Sequence, residues 1–181
     1  MKKRHTLDWL RYWLLAAAAS YAVTGLAGDS VSWRFIKRKV DSDFPRVSSI
    51  STALLSERLL GFRGPTPILL DVRTPAEYAV SHIQGARQVD PGAAVDTLEL
   101  PRTASIVTYC SVGYRSAAFA DSMRMAGFSN VQNLRGSIFQ WANEGRPLTA
   151  NGSSAKLVHP YGGVWRLLLA PERRAKVPPV K

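Results

Sequence analysis

From Ile50 onward, short apolar runs alternate with helical stretches, and this alternation admits few folds. It predicts an α/β domain with a mainly parallel central sheet and helices on both faces. The candidate strands are 47–50, 67–72, 86–90, 105–110 and 130–134. The candidate helices are 52–61, 75–82, 115–127 and 137–145. One boundary is marked by chemistry as well as by period. In Thr74-Pro75-Ala76-Glu77, Thr74 can cap the helix, Pro75 has the φ that the first helical position needs, and Glu77 can reach back to complete a capping box. Gly127 and Gly145 fall where helices commonly end.

The chain has 181 residues, room for one ordinary domain with tails, and its 46% apolar content with five Trp, six Tyr and six Phe excludes a disordered polymer. Its net charge of +11 belongs to the ends: residues 1–46 carry +5, residues 47–150 carry +1 and residues 151–181 carry +5. Charge so placed suits an anionic surface such as lipid headgroups, nucleic acid or an acidic partner, or it serves solubility alone. The expected division is a basic N-terminus (1–46), a core domain (47–150) and a C-terminal extension with a basic tail (151–181).

Within the first segment, residues 12–28 are uncharged. This run is short and alanine-diluted for a spanning helix, and it reads as a membrane anchor, a cleaved signal or a helix docked on the domain. Trp33, Ile36 and Val40 then recur at helical spacing among Arg34, Lys37, Arg38 and Lys39, up to Pro45. That pattern predicts a basic amphipathic helix suited to a lipid surface or serving as a linker. The expected location is membrane-associated, with soluble cytoplasmic and exported forms as alternatives. The cluster from Tyr161 to Leu169 is expected to pack on the domain or on the N-terminal helix, with a membrane-surface contact as the alternative.

Cys110 is the one cysteine, so no intramolecular disulfide can form, and His5, His82 and His159 show no metal-ligand spacing. Neither a metal nor a cofactor is expected. Cys110 ends an apolar strand and is followed by Ser111-Val112-Gly113-Tyr114-Arg115-Ser116, which opens a helix. A strand, a tight loop and a helix N-terminus gather backbone N–H groups around one point, where the helix dipole adds positive charge. A thiol there is favoured as thiolate, Arg115 adds a cation, and Gly113 lets the backbone curl. No general base accompanies the thiol, and thiolate attack on a sulfane sulfur requires none.

These pieces, with Asp71-Val72-Arg73, Glu77-Tyr78, His82-Ile83, Gly85-Ala86, the Cys110-x-x-Gly113-x-Arg115-Ser116 loop, Gly136 and Trp141, resemble the single-domain rhodanese family. The resemblance implies a rhodanese-like three-layer α/β sandwich, with a mainly parallel five-stranded sheet and here an additional N-terminal apolar helix. It implies a sulfurtransferase that moves a sulfane sulfur from a donor such as thiosulfate, through a Cys110 persulfide, to a thiol or cyanide acceptor. Residues 111–115 would hold the outer sulfur, Arg115 would attract an anionic donor, and Asp71, Arg73 and Ser116 would support the site. Asp71, Arg73, Glu77 and His82 read most simply as structural, a polar network at the strand ends near the site. The expected partners are these small molecules and an anionic membrane surface, and not nucleic acid.

Ser81 and Ser137 stand where the family often has glycine, departures expected to affect packing. Ser111 and Val112 take positions that are often basic in thiosulfate-preferring relatives, which bears on the donor. Two rival readings differ in kind. Phosphatases of this fold, and arsenate reductases, resemble C-x5-R, whereas Cys110 to Arg115 is C-x4-R. The other rival is a non-catalytic rhodanese module used for binding.

Overall fold

A computed structural model describes residues 31–177 of the chain. The elements run α1 (Val31–Asp43), β1 (Ser48–Ile50), α2 (Thr52–Leu59), β2 (Ile68–Asp71), α3 (Pro75–Val80), β3 (Arg87–Gln88), β4 (Ile106–Tyr109), α4 (Tyr114–Met125), β5 (Val131–Leu134), α5 (Ser137–Asn143), β6 (Leu148–Ala150) and β7 (Ser153–Ala155), with short 3-10 turns at Val95–Leu98, Gly163–Leu168 and Pro171–Arg173. The five expected strands form one sheet in the order β1-β5-β4-β2-β3, and every pairing is parallel.

Alternation of side chains across the sheet creates two cores. Leu69, Val107 and Tyr109 face one layer, where they join Ile50, Leu55, Leu134, Ile138 and Trp141. Leu70 and Ile106 face the other, with Val89, Phe119, Met123 and Phe128. Helices therefore cover both faces, as the three-layer expectation required.

The capping box that starts α3 is present, with Thr74 Oγ1 accepting from the Glu77 N–H (3.3 Å) and Glu77 Oε2 accepting from the Thr74 N–H (3.1 Å). The chain order has one reversal. From β2 the chain moves outward to β3, then returns to place β4 on the opposite side of β2. The loops leaving β2 and β4 consequently diverge and open a crevice between the strands' C-terminal ends, the usual place for a site in an open α/β sheet.

Two corrections concern the flanks. The basic amphipathic helix forms as α1, but its apolar residues Trp33, Ile36 and Val40 are buried in the domain core. Burial of each contributes roughly 1.5–3 kcal/mol, and that face is covered by protein, so it is not free for lipid; Phe35 remains exposed. The chain past α5 also folds further than expected: Asn151 and Gly152, both at positive φ, turn the hairpin β6–β7, and Thr149 pairs with His82 through two 2.9 Å backbone bonds. Among the described residues no helix is long and apolar enough to cross a membrane; the run 12–28 lies outside them.

Candidate functional site

β4 ends at Tyr109, so Cys110 emerges at the middle of the sheet's C-terminal edge, and α4 begins four residues later. Gly113 turns the chain at φ 109°, a value that L side chains rarely adopt. Its N–H donates to Cys110 Sγ at 3.2 Å. The sulfur thus sits at the mouth of α4, where the dipole favours negative charge.

The neighbouring strand and helix fix this loop. Asn133 of β5 donates from Nδ2 to the Gly113 carbonyl (3.0 Å) and accepts at Oδ1 from Ser116 Oγ (2.7 Å). The N-terminal amides of α5 donate to the loop carbonyls, Ile138 N–H to Cys110 (3.2 Å) and Phe139 N–H to Ser111 (3.1 Å). Because a trans peptide holds its N–H opposite its C=O, the amides of Ser111 and Val112 point away from α5. Ser137, at φ 51°, accepts the Cys110 N–H at Oγ (3.1 Å) and donates to the Leu134 carbonyl (3.2 Å). Its position is therefore within the loop's bonding, not only its packing.

Across the crevice, the buried Glu77 receives Arg115 as a two-pronged ion pair, Nη1 to Oε2 at 3.0 Å and Nη2 to Oε1 at 2.8 Å. Ser111 Oγ donates to Glu77 Oε1 (2.9 Å) and accepts from Arg115 Nη2 (3.1 Å). Burial would raise the Glu77 carboxyl, but the bonds and charge of Arg115, with the bonds from Thr74 and Ser111, outweigh it and hold Glu77 down at about 2. Burial disfavours the charge on Arg115, yet Glu77 and the nearby Cys110 raise its proton affinity above the ordinary arginine range. Tyr161, from the C-terminal segment, covers the guanidinium with its ring centroid 4.7 Å from Cζ.

A second pair lies deeper. Arg73 binds Asp71 through Nε (2.9 and 3.2 Å) and Nη2 (2.6 Å), and Nη2 also donates to the Ser81 carbonyl (2.7 Å). Both side chains are fully buried.

The structure thus brings Cys110, Ser111, Gly113, Arg115 and Ser116 together. Val112 and Tyr114 turn their side chains elsewhere: Val112 is buried toward Lys37 and Val40 of α1, and the Tyr114 hydroxyl donates to Asp43 at 2.7 Å. Asp71 and Arg73 brace the strand end below the site. Glu77 stands near the site, as the expected polar network has it, but its ion pair with Arg115 is not in the sequence reading, nor are Asn133, Ser137 and Tyr161 as site neighbours; the Arg115 charge, expected to attract a donor as well as to orient the loop, is committed to Glu77. His82 lies apart, stacked on Tyr78 at 3.8 Å.

A parallel α/β sheet with a cysteine in an amide-lined strand-to-helix loop at its switch point defines a thiol-bearing α/β domain. The chain belongs to the rhodanese-like domain family, whose model matches residues 55–144. It is 35% identical over 105 residues to a sulfurtransferase of Allochromatium vinosum, covering 58% of this chain and 96% of that protein. It is 39% identical over 83 residues to the probable adenylyltransferase/sulfurtransferase MoeZ of Mycobacterium tuberculosis, covering 44% of this chain and only 21% of MoeZ. The solution structure of a rhodanese-like domain from Anabaena sp. superposes with a TM-score of 0.53 at 26% identity, over 57% of this chain and 80% of that one.

Proposed function

We propose that the protein is a sulfurtransferase working through a persulfide on Cys110. The observation that carries this is the Gly113 N–H bond to Cys110 Sγ at the N-terminus of α4, inside a loop whose carbonyls are tied back by α5. Such a cradle offers backbone N–H donors to the anionic outer sulfur of a persulfide. The similarity to proteins named sulfurtransferase supports the same reading.

With thiosulfate as donor, the Cys110 thiolate attacks the outer sulfur. A Cys110 S–S bond forms, the S–S bond of thiosulfate breaks with its electron pair, and sulfite leaves. Cyanide as acceptor attacks the outer sulfur through carbon, thiocyanate leaves, and the thiolate is restored. The amides of residues 111–115 hold the transferred sulfur, while Glu77 and Arg115 fix Ser111 and the loop. The reading extends to a membrane-associated location through residues 1–30, tested by partition between membrane and soluble fractions.

The test is thiocyanate release from thiosulfate, or from an organic persulfide, and cyanide. Native protein turns over and Cys110→Ala does not; equal release from both contradicts the proposal. One observation favours a second reading, a binding module without turnover: Cys110 is 1% exposed. That reading predicts no thiocyanate from any donor in a folded, reduced sample.

A further inference from the structure

The family match ends at residue 144, yet the chain beyond it returns to the site. Its path is pinned at several places. Ser81 Oγ donates to the Leu157 carbonyl at 2.7 Å, which gives this departure from the family pattern a structural purpose. Asn143 donates to the Leu168 carbonyl and accepts from the Ala170 N–H, both at 2.8 Å. Val158 is buried and bonded to both Arg173 and Ala175, so the two ends of the segment are tied to each other as well as to the domain.

Between these anchors stands Tyr161, at φ 62°, with its N–H donated to His159 Nδ1 at 3.0 Å. A left-handed backbone is costly for a tyrosine and persists only where its surroundings impose it. Here it aims the ring at Arg115. The N–H groups of that guanidinium are already used by Glu77 and Ser111, and its Cζ lies over the Tyr161 ring, 4.7 Å from the centroid. The loop offers no second cation, because Ser111, Val112, Gly113 and Tyr114 are uncharged. Tyr161 also borders a cleft of about 530 Å³, lined with it by Pro160, Val164, Arg166 and Leu167.

We infer that Tyr161 is a specificity-determining residue that turns the Cys110 site away from doubly charged donors such as thiosulfate and toward sulfane sulfur carried on an organic thiol with an apolar body. The inference rests on the sulfurtransferase reading and names its donor class. In the favoured step the Cys110 thiolate attacks the outer sulfur of R–S–SH. A Cys110–sulfur bond forms, the donor's S–S bond breaks, and R–S⁻ leaves with the electron pair, while the proton stays on the transferred sulfur. No oxidant or reductant enters.

The experiment uses the full chain and its one cysteine. Alkylation of Cys110 by anionic iodoacetate and by neutral iodoacetamide is followed by intact mass in the native protein, Tyr161→Ala and Tyr161→Phe. Freeing the guanidinium from the aromatic ring raises the iodoacetate-to-iodoacetamide rate ratio about fivefold in Tyr161→Ala. Tyr161→Phe, which keeps the ring, retains the native ratio. The thiosulfate-to-persulfide ratio of kcat/KM moves the same way. An unchanged ratio in Tyr161→Ala overturns the inference even if both rates rise, since that result makes the ring a steric cover without charge selection. Failure of every sulfur donor would sink the sulfurtransferase reading and leave the alkylation ratio legible.

Discussion

Two arginine–carboxylate pairs stand at the C-terminal edge of the sheet and are built for different work. Asp71 and Arg73 are two residues apart, and neither side chain is exposed. Glu77 and Arg115 are separated by 38 residues, and the Arg115 side chain keeps 26% exposure over a fully buried carboxylate. The first pair closes a strand end upon itself and reaches the Ser81 carbonyl. The second joins α3, after β2, to α4, after β4, and so spans the crevice that the topology opens. A sealed pair fixes architecture; a pair with one open side sets the shape and charge of the loop above it.

Removing one partner of the sealed pair has the largest expected effect. Arg73→Ala leaves Asp71 buried without its cation and lowers stability by about 3–5 kcal/mol, read as a lower urea midpoint. The double change Asp71→Leu with Arg73→Met restores most of that loss, because desolvating an ion pair costs about as much as its attraction returns. A double variant as unstable as Arg73→Ala would mean that the pair itself, not the orphaned charge, holds the strand end.

Glu77→Gln tests the open pair. Holding Glu77 at about 2 against an ordinary value of 4.5 corresponds to stabilisation on the order of 3 kcal/mol. Since the folded value is depressed, this contribution is complete above about pH 4.5 and is lost as pH falls toward 2. The variant flattens that part of the stability–pH curve. It also slows sulfur loading of Cys110 at least tenfold, roughly the effect of losing a charged hydrogen bond that positions the loop. If loading is unaffected, the open pair is architectural like its neighbour and the contrast collapses.

Ser137→Ala gives the smallest effect. Loss of the acceptor for the Cys110 N–H costs about 1 kcal/mol. Ser137→Gly costs less, because glycine relaxes the φ of 51°. Thermal unfolding of the two variants side by side separates bond from backbone.

Much of this was legible in the sequence because its signals are local. The strands carry their own apolar runs, α3 carries its capping box in Thr74 to Glu77, and the Cys110 loop carries thiol, glycine and arginine within six positions. What escaped is what the topology assembles. Glu77 and Arg115 meet only because β4 inserts beside β2, and Ser137 reaches Cys110 only because β5 delivers α5 against the loop. The apolar stripe of α1 is plain in the sequence, but a stripe does not say whether lipid or protein will cover it. The Asn151-Gly152 turn is different: that dipeptide is a strong hairpin signal and was there to be read. Tyr161 had no motif, since its place depends on Ser81 and Asn143 anchoring the segment.

The central claim is that Cys110 carries sulfur, and intact-protein mass spectrometry tests it most directly. Native protein and Cys110→Ala are incubated with thiosulfate or an organic persulfide, then with cyanide. The account predicts one added sulfur on the native protein alone, removed by cyanide as thiocyanate and acquired faster from the persulfide. No adduct from any donor in folded, reduced protein would contradict it.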